Sequence, residues 1–260
     1  MIEPNFFNNI LVIPFLNILI AFYKLFLLVK LPGAFGFAII TLTILIRLVL
    51  HPFFKQQMTT AKKMQDIKPH LDNISQKHKK DPKKLQAEQM RLYKEAGINP
   101  AAGCLFLIIQ LPVFWALYQS LYFFFINKPA AVVTGINKIL YWPFLKIQMI
   151  DPMFLGFNLT LAPATAKNWF YLLIPVLTAV LQYYQVAVST PSSAKTAEGK
   201  PEDKKNNTGD FQSAMQTQMK FIFPLMIGYF SYILPVGLSL YWNIFSLFSI
   251  IQYRQMHGKK

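Results

Sequence analysis

Three polar side chains at intervals of four residues mark one face of an otherwise apolar segment. They are Thr43, Arg47 and His51, in the run ITLTILIRLVLHP, and on a helix this spacing aligns them in one stripe. A charged side chain near the centre of a membrane-spanning helix costs roughly 2.5–3.5 kcal/mol, so it usually faces a protein interior or a water-filled cavity. The chemistry that suits Arg47 is the binding of an anionic group.

Two interpretations of Arg47 follow from its position in the segment. With a helix that begins near Phe35, Arg47 lies about 18 Å along the axis and about 12 Å before Lys55. Its long side chain could therefore extend to the headgroups on the near side of the membrane. Alternatively, it faces a polar cavity open to the cytoplasm, which requires polar groups from other segments.

Other apolar segments do contain polar and amphipathic side chains. They are Gln110 in LFLIIQLPVF, Gln182 and Gln185 in LQYYQ, and Trp242 and Asn243 in LYWN. Individually, glutamines often join neighbouring helices and tryptophans often lie at membrane interfaces. Because the apolar segments contain no acidic residue to neutralise Arg47, the combination favours a hydrated cavity. Polarity and periodicity add Thr43 and Gln110 to its lining.

The elements that must position these residues are transmembrane helices. The chain has 260 residues, is 54% hydrophobic and has a mean hydropathy of +0.34, which indicates a membrane protein. We predict an all-α polytopic membrane protein with five transmembrane helices, at 35–54, 104–126, 169–188, 219–234 and 236–252. The last two are arms of about 16 residues around Pro235 and Gly237. Each would be about 24 Å long, so we expect the bilayer to thin there.

The N-terminal region, 1–34, contains an ambiguous apolar segment at 10–29. Pro14, Asn17 and Lys24 interrupt it, and the last two are seven residues apart on one helical face. This pattern favours an amphipathic helix at the membrane interface. A further membrane span is the alternative.

Charge predicts the orientation of the spans. Residues 55–95 contain eleven basic and five acidic residues, so the region 53–99 should be cytoplasmic. Its periodicity predicts a helical hairpin, broken at KKDPKK. Alternation then places the loop 127–168 and the N-terminus outside. The remaining cytoplasmic parts are a disordered loop at 189–218 and a short tail at 253–260.

The sequence contains no pattern typical of an enzyme or a metal site. There is one cysteine, Cys104, and four scattered histidines, and the zinc-protease, serine-hydrolase and P-loop motifs are absent. We therefore expect no cofactor, no metal and no covalent catalysis.

Three stretches of the chain resemble a known family. They are GFAIITLTILIRLVLHPF, MRLYKEAGINPAAGCLFLIIQLPVFWALYQSL and MKFIFPLMIGYFSYILPVGLSLYWNIFSLFSIIQ. In order and spacing they are similar to the YidC/Oxa/Alb membrane protein insertases, and the resemblance covers nearly the whole chain.

The resemblance implies five transmembrane helices around a hydrophilic groove, open to the cytoplasm and the lipid and sealed on the outer side. It also implies an amphipathic N-terminal helix on the outer face. The family's groove arginine corresponds to Arg47, its groove glutamine to Gln182, and the tryptophan of its last span to Trp242. The resemblance is also compatible with a location in a bacterial plasma membrane.

The implied function is the insertion and folding of nascent membrane proteins, which with the lipid bilayer are the implied partners. The general protein translocase and ribosomes are further candidates, although the short tail after Tyr253 argues against ribosome contact. No sequence-specific nucleic acid is expected. The alternatives are a small-anion channel with Arg47 as its selectivity charge, and an assembly chaperone that does not insert proteins.

Overall fold

The computed structural model describes residues 5–78, 81–99, 102–126, 129–189 and 218–257, and most of them are helical. The predicted disordered loop at 189–218 lies, apart from its two end residues, outside the described residues. So do the last three residues of the tail.

Nine helices and one short hairpin make up the described chain. The helices are α1 (Ile13–Leu28), α2 (Ala34–Val49), α3 (His51–Lys77), α4 (Pro82–Glu95), α5 (Ala102–Ile126), α6 (Pro129–Asn137), α7 (Leu173–Ser189), α8 (Phe223–Ile233) and α9 (Val236–His257). Single π-helical turns precede α1 (Asn8–Val12) and α8 (Gln218–Ile222), and 3₁₀ turns occur at Pro143–Leu145 and Trp169–Leu172. Strands β1 (Met153–Phe154) and β2 (Phe157–Asn158) pair antiparallel.

The bundle is built around α2 and α9. Helix α2 packs against α1 and α9, α7 packs against α8 and α9, and α5 contacts α1, α3 and α9. The core is aliphatic and aromatic, with Leu16, Phe35, Leu42, Leu117 and Tyr241 among its fully buried side chains. Helices α3 and α4 form the predicted hairpin.

Within the described residues, two helices are long and apolar enough to cross a membrane. They are Asn8–Leu28, with a mean hydropathy of 2.3, and Trp169–Val188, with 1.5. A bent pair, Ala34–Val49 and His51–Met64, could form a third, and its bend is 67°. The span predicted at 35–54 is therefore interrupted at Leu50. Pro52, in the first turn of α3, has no amide hydrogen to continue the ladder of α2.

The two helices of the final hairpin differ in length. Helix α8 with its π-helical turn has 16 residues, whereas α9 has 22. At 1.5 Å per residue α9 is about 33 Å long, but it is not among the described helices that are both long and apolar enough to cross a membrane. The expectation of bilayer thinning at this hairpin stays a prediction.

The segment between α6 and α7 folds over one end of the bundle, and we call residues 138–172 the cap. Its backbone carbonyls accept hydrogen bonds from the first two residues of α9: Val236 N donates to Leu161 O and Gly237 N to Leu159 O, each at 2.9 Å. It also contacts the first turn of α2, where the ring of Phe154 lies in a notch formed by Gly33 and Gly36. The cap thus covers the end of the bundle at which α2 begins, and α3 extends from the opposite end.

Asn17 and Lys24 do lie on one face of α1, but that face contacts the cap. Asn17 Nδ2 donates to Ile139 O at 3.1 Å, and Asn17 Oδ1 accepts from Tyr141 N at 2.7 Å. Lys24 Nζ donates to Lys146 O at 2.9 Å. The polarity that suggested an interfacial helix is therefore explained by backbone groups about 120 residues away.

Replacing Asn17 with leucine should lower the free energy of unfolding by about 1–2 kcal/mol, because it removes two part-buried hydrogen bonds, to the Ile139 carbonyl and from the Tyr141 amide. Thermal unfolding in detergent micelles measures the change. The matched control is Asn9→Leu, since Asn9 is exposed on the π-helical turn that leads into α1. Equal melting temperatures for the two variants would contradict the role given to Asn17.

Candidate functional site

Arg47 lies in the last turn of α2, and its side chain turns into the bundle. It is 2% exposed, so it does not extend towards headgroups. Arg47 Nη2 donates to Phe245 O at 2.9 Å and to the Ser249 hydroxyl, both on α9. Its guanidinium also lies between two rings, with Cζ 4.1 Å from the centroid of Phe54 and 3.6 Å from that of Phe245.

No carboxylate neutralises this cation within the described part of the chain. The ion pairs seen there join Arg91 to Glu88 and Glu95 on the exposed surface of α4. The Nε atom of Arg47 is buried and has no hydrogen-bond partner among the described residues. Ring faces, one hydroxyl and one carbonyl stabilise the guanidinium but leave its full positive charge, which suits it to an anion.

Helix α9 carries a stripe of buried polar side chains that the sequence prediction largely missed. Its members are Ser239, Asn243, Ser246, Ser249 and Gln252, spaced by three or four residues. Gln252 Nε2 lies 2.9 Å from His51 Nδ1, at the start of α3. The spacing in SLYWNIFSLFSIIQ could have indicated this stripe, but serine is a weak signal in membrane helices because it also binds its own backbone.

The predicted site residues meet α9 at different points. Gln182 Oε1 accepts from Ser246 Oγ at 2.9 Å, and Gln110 Nε2 donates to Tyr241 Oη at 2.9 Å. Trp242, 9% exposed, stacks on Phe114 with ring centroids 5.5 Å apart. Among the described residues, no hydrogen bond joins Arg47 directly to Gln110 or Gln182.

Thr43 lies one turn before Arg47 but does not share its contacts. Its side chain is 1% exposed, and its hydroxyl donates to Ile39 O of its own helix at 2.7 Å.

A second polar group lies nearer the cap. The hydroxyls of Thr178, Ser231 and Ser239 form a chain across α7, α8 and α9, with oxygens 3.1 and 2.7 Å apart. Polar contacts therefore continue along α9 from the cap towards α3. Within the described ranges, no group of three or more histidine, cysteine or acidic residues could hold a metal ion.

Comparison with known proteins gives one family. The family model described as "60Kd inner membrane protein" matches residues 27–260. A "Membrane protein insertase YidC" of Wolinella succinogenes is 31% identical over 225 residues, which cover 86% of this chain and 34% of that protein. The "Inner membrane protein ALBINO3, chloroplastic" of Arabidopsis thaliana is 32% identical over 255 residues, covering 89% and 49%.

A solved structure is similar as well. It is described as "Active YidC insertase crystal structure with the first transmembrane domain resolved" and is 26% identical, with a TM-score of 0.55. The match covers 99% of this chain and 48% of that one. The chain thus spans between a third and a half of the length of these relatives.

Proposed function

Because this chain belongs to the 60Kd inner membrane protein family, we propose that it is a membrane protein insertase that transfers nascent membrane proteins into the lipid bilayer and assists their folding without covalent chemistry. The observation that carries this proposal is the buried guanidinium of Arg47, which has polar and aromatic contacts but no carboxylate partner among the described residues. Such a charge suits the short acidic tail or loop of a membrane protein in transit.

The proposed path is a hydrophilic groove between α2, α5, α7, α8 and α9, open to the cytoplasm and closed by the cap. The polar stripe of α9, together with Gln110 and Gln182, supports this lining. A carboxylate about 4 Å from Arg47 gains about 4 kcal/mol at an effective dielectric constant of about 20, against about 1 kcal/mol in water. The groove would therefore lower the cost of carrying a charged tail through an apolar layer.

Lipid supplies the driving force in this proposal. Burial of the substrate's apolar helix in the bilayer releases about 25 cal/mol per Å². A membrane potential adds about 2.3 kcal/mol per charge per 100 mV for an acidic tail that moves outward. No nucleotide is required.

The hairpin of α3 and α4 is the proposed first contact for the substrate. Its region contains eleven basic and five acidic residues between 55 and 95, which supports a cytoplasmic position. The cap and the N-terminus then face outward and the C-terminus is cytoplasmic, in a bacterial plasma membrane. The general protein translocase is proposed as a further partner on the hairpin side, whereas the short tail after Tyr253 argues against ribosome contact.

Reconstitution tests the function. Liposomes that contain the protein should protect a small single-span substrate with an acidic tail from added protease, and protein-free liposomes should not. The same vesicles should show no chloride conductance. Conductance without insertion would instead indicate an anion channel, and bound but unprotected substrate would indicate an assembly chaperone.

A further inference from the structure

Two aromatic rings contact the guanidinium of Arg47, and their planes are inclined at 75° to each other. Phe54 is 3% exposed, and its ring centroid is 6.2 Å from that of Phe245. With Cζ at 4.1 and 3.6 Å from the two centroids, the guanidinium lies within the range of cation–π attraction to each. Phe54 therefore covers one side of the guanidinium, and because Arg47 is 2% exposed an incoming carboxylate has no open approach to it in this arrangement.

The two rings belong to different parts of the fold. Phe245 lies on α9 between Tyr241, which binds Gln110, and Ser249, which binds Arg47. Its displacement would therefore disturb the packing of the bundle. Phe54 lies on the first turn of α3, beyond the 67° bend at Leu50. That turn belongs to the hairpin, and hinge motions are absorbed by a few residues at the ends of elements.

A second contact holds the same turn of α3 against α9. Gln252 Nε2 and His51 Nδ1 are 2.9 Å apart, one turn away from Phe54 along α3. His51 and Phe54 together therefore fasten the beginning of α3 over Arg47.

We infer that Phe54 is a positioning residue that covers Arg47 in the resting protein, and that an acidic segment reaches the guanidinium only when the first turn of α3 moves away from α9. This inference rests on the proposed function, and it adds how an anionic group reaches Arg47. The ligand is a carboxylate of the polypeptide being inserted. Contact of that polypeptide with the hairpin would then be coupled to exposure of the charge.

Access to the site can be measured without any insertion assay. In a Cys104→Ser background, Ser249→Cys places a thiol beside Arg47, and its rate of reaction with anionic sulfonatoethyl methanethiosulfonate is followed in lipid nanodiscs. We expect slow reaction in this reference and about tenfold faster reaction after Phe54→Ala, the change that loss of one desolvated cation–π contact gives. Phe54→Leu should lie between the two, since it keeps bulk but not the ring face.

Two matched variants make the labelling result decisive. Thr59→Cys, exposed on the same helix, gives the rate of an open thiol. Phe114→Ala, which removes the ring stacked on Trp242, should leave the labelling rate of the Ser249→Cys protein unchanged. Labelling at the Thr59→Cys rate with Phe54 present, or no acceleration by Phe54→Ala, would overturn the inference.

A reversible cross-link between α3 and α9 tests whether insertion requires movement of α3. His51→Cys with Gln252→Cys, joined in reconstituted vesicles by a short bismethanethiosulfonate cross-linker because the contact is between side-chain ends, should stop insertion, and reduction of the cross-link should restore it. Insertion at the same rate in both redox states would overturn the requirement for movement. If the wild-type protein itself inserts nothing, the proposed function fails, whereas the labelling rates still report whether Phe54 covers the site.

Discussion

Replacing Arg47 with alanine should slow the insertion of an acidic-tailed substrate by about tenfold or more, and Arg47→Lys should keep most of the wild-type rate. Tenfold corresponds to about 1.4 kcal/mol, well within the roughly 4 kcal/mol that a charge pair at 4 Å gains in a partly polar environment. Lysine retains the charge but loses the planar guanidinium that lies between Phe54 and Phe245. Protease protection in reconstituted vesicles measures the initial rate.

Charge and packing can be separated with two further variants. Arg47→Met fills a similar volume without charge, so it should be as slow as Arg47→Ala while keeping the fold, because removing a buried cation relieves its desolvation cost. Arg91→Ala removes an exposed arginine from α4 and should leave the rate unchanged. If Arg47→Met inserts the acidic substrate at the wild-type rate, the charge has no part in insertion.

The second large effect concerns the notch under the cap. A side chain at Gly36 would overlap the ring of Phe154, and Gly33 next to it has φ +76°, a conformation that other residues rarely adopt. We expect Gly36→Leu to lower the free energy of unfolding by about 3 kcal/mol, because the cap can no longer reach α2 without displacing that ring. Unfolding in mixed detergent micelles measures the loss.

A double-mutant cycle identifies the cause of that loss. Phe154→Ala alone should destabilise the protein, since its ring also packs edge-on against Phe37 at 5.2 Å. In the Gly36→Leu background the same change should cost much less, with a coupling of about 0.5–3 kcal/mol. Additive losses would mean that Gly36 and Phe154 do not act through one contact.

The sequence was sufficient for the residues whose chemistry is conspicuous in an apolar setting. Arg47, Gln110 and Gln182 form hydrogen bonds with α9, and Trp242 belongs to it. Asp81 and Pro82 are strong local signals for a helix start, and α4 begins at Pro82 with Asp81 as its N-cap. Whether these residues line an open groove remains a prediction.

Features that depend on distant partners were not predictable from local pattern. The spacing of Asn17 and Lys24 predicts a face exposed to solvent, but both side chains bind backbone groups of the cap. Backbone groups are the same in every residue, so the sequence does not reveal them as partners. The cover on Arg47 was missed for a similar reason. A phenylalanine such as Phe54 is equally expected in a core, against lipid or over a cation.

The long sequence separation within the site has a consequence for the protein's own synthesis. Arg47 and Ser249 are 202 residues apart, whereas Asn17 and Tyr141 are 124 apart. A ribosome adds about 5–20 residues per second, so about 10–40 s pass between the emergence of Arg47 and that of its α9 partners. The contact of the cap with α1 can form about halfway through this interval, when Tyr141 has emerged, whereas the bonds from Val236 and Gly237 to the cap and from Arg47 to α9 form only at its end. Until then the new chain contains a cation without its α9 partners in an apolar segment. Insertion of that segment into the membrane is therefore unfavourable at this stage.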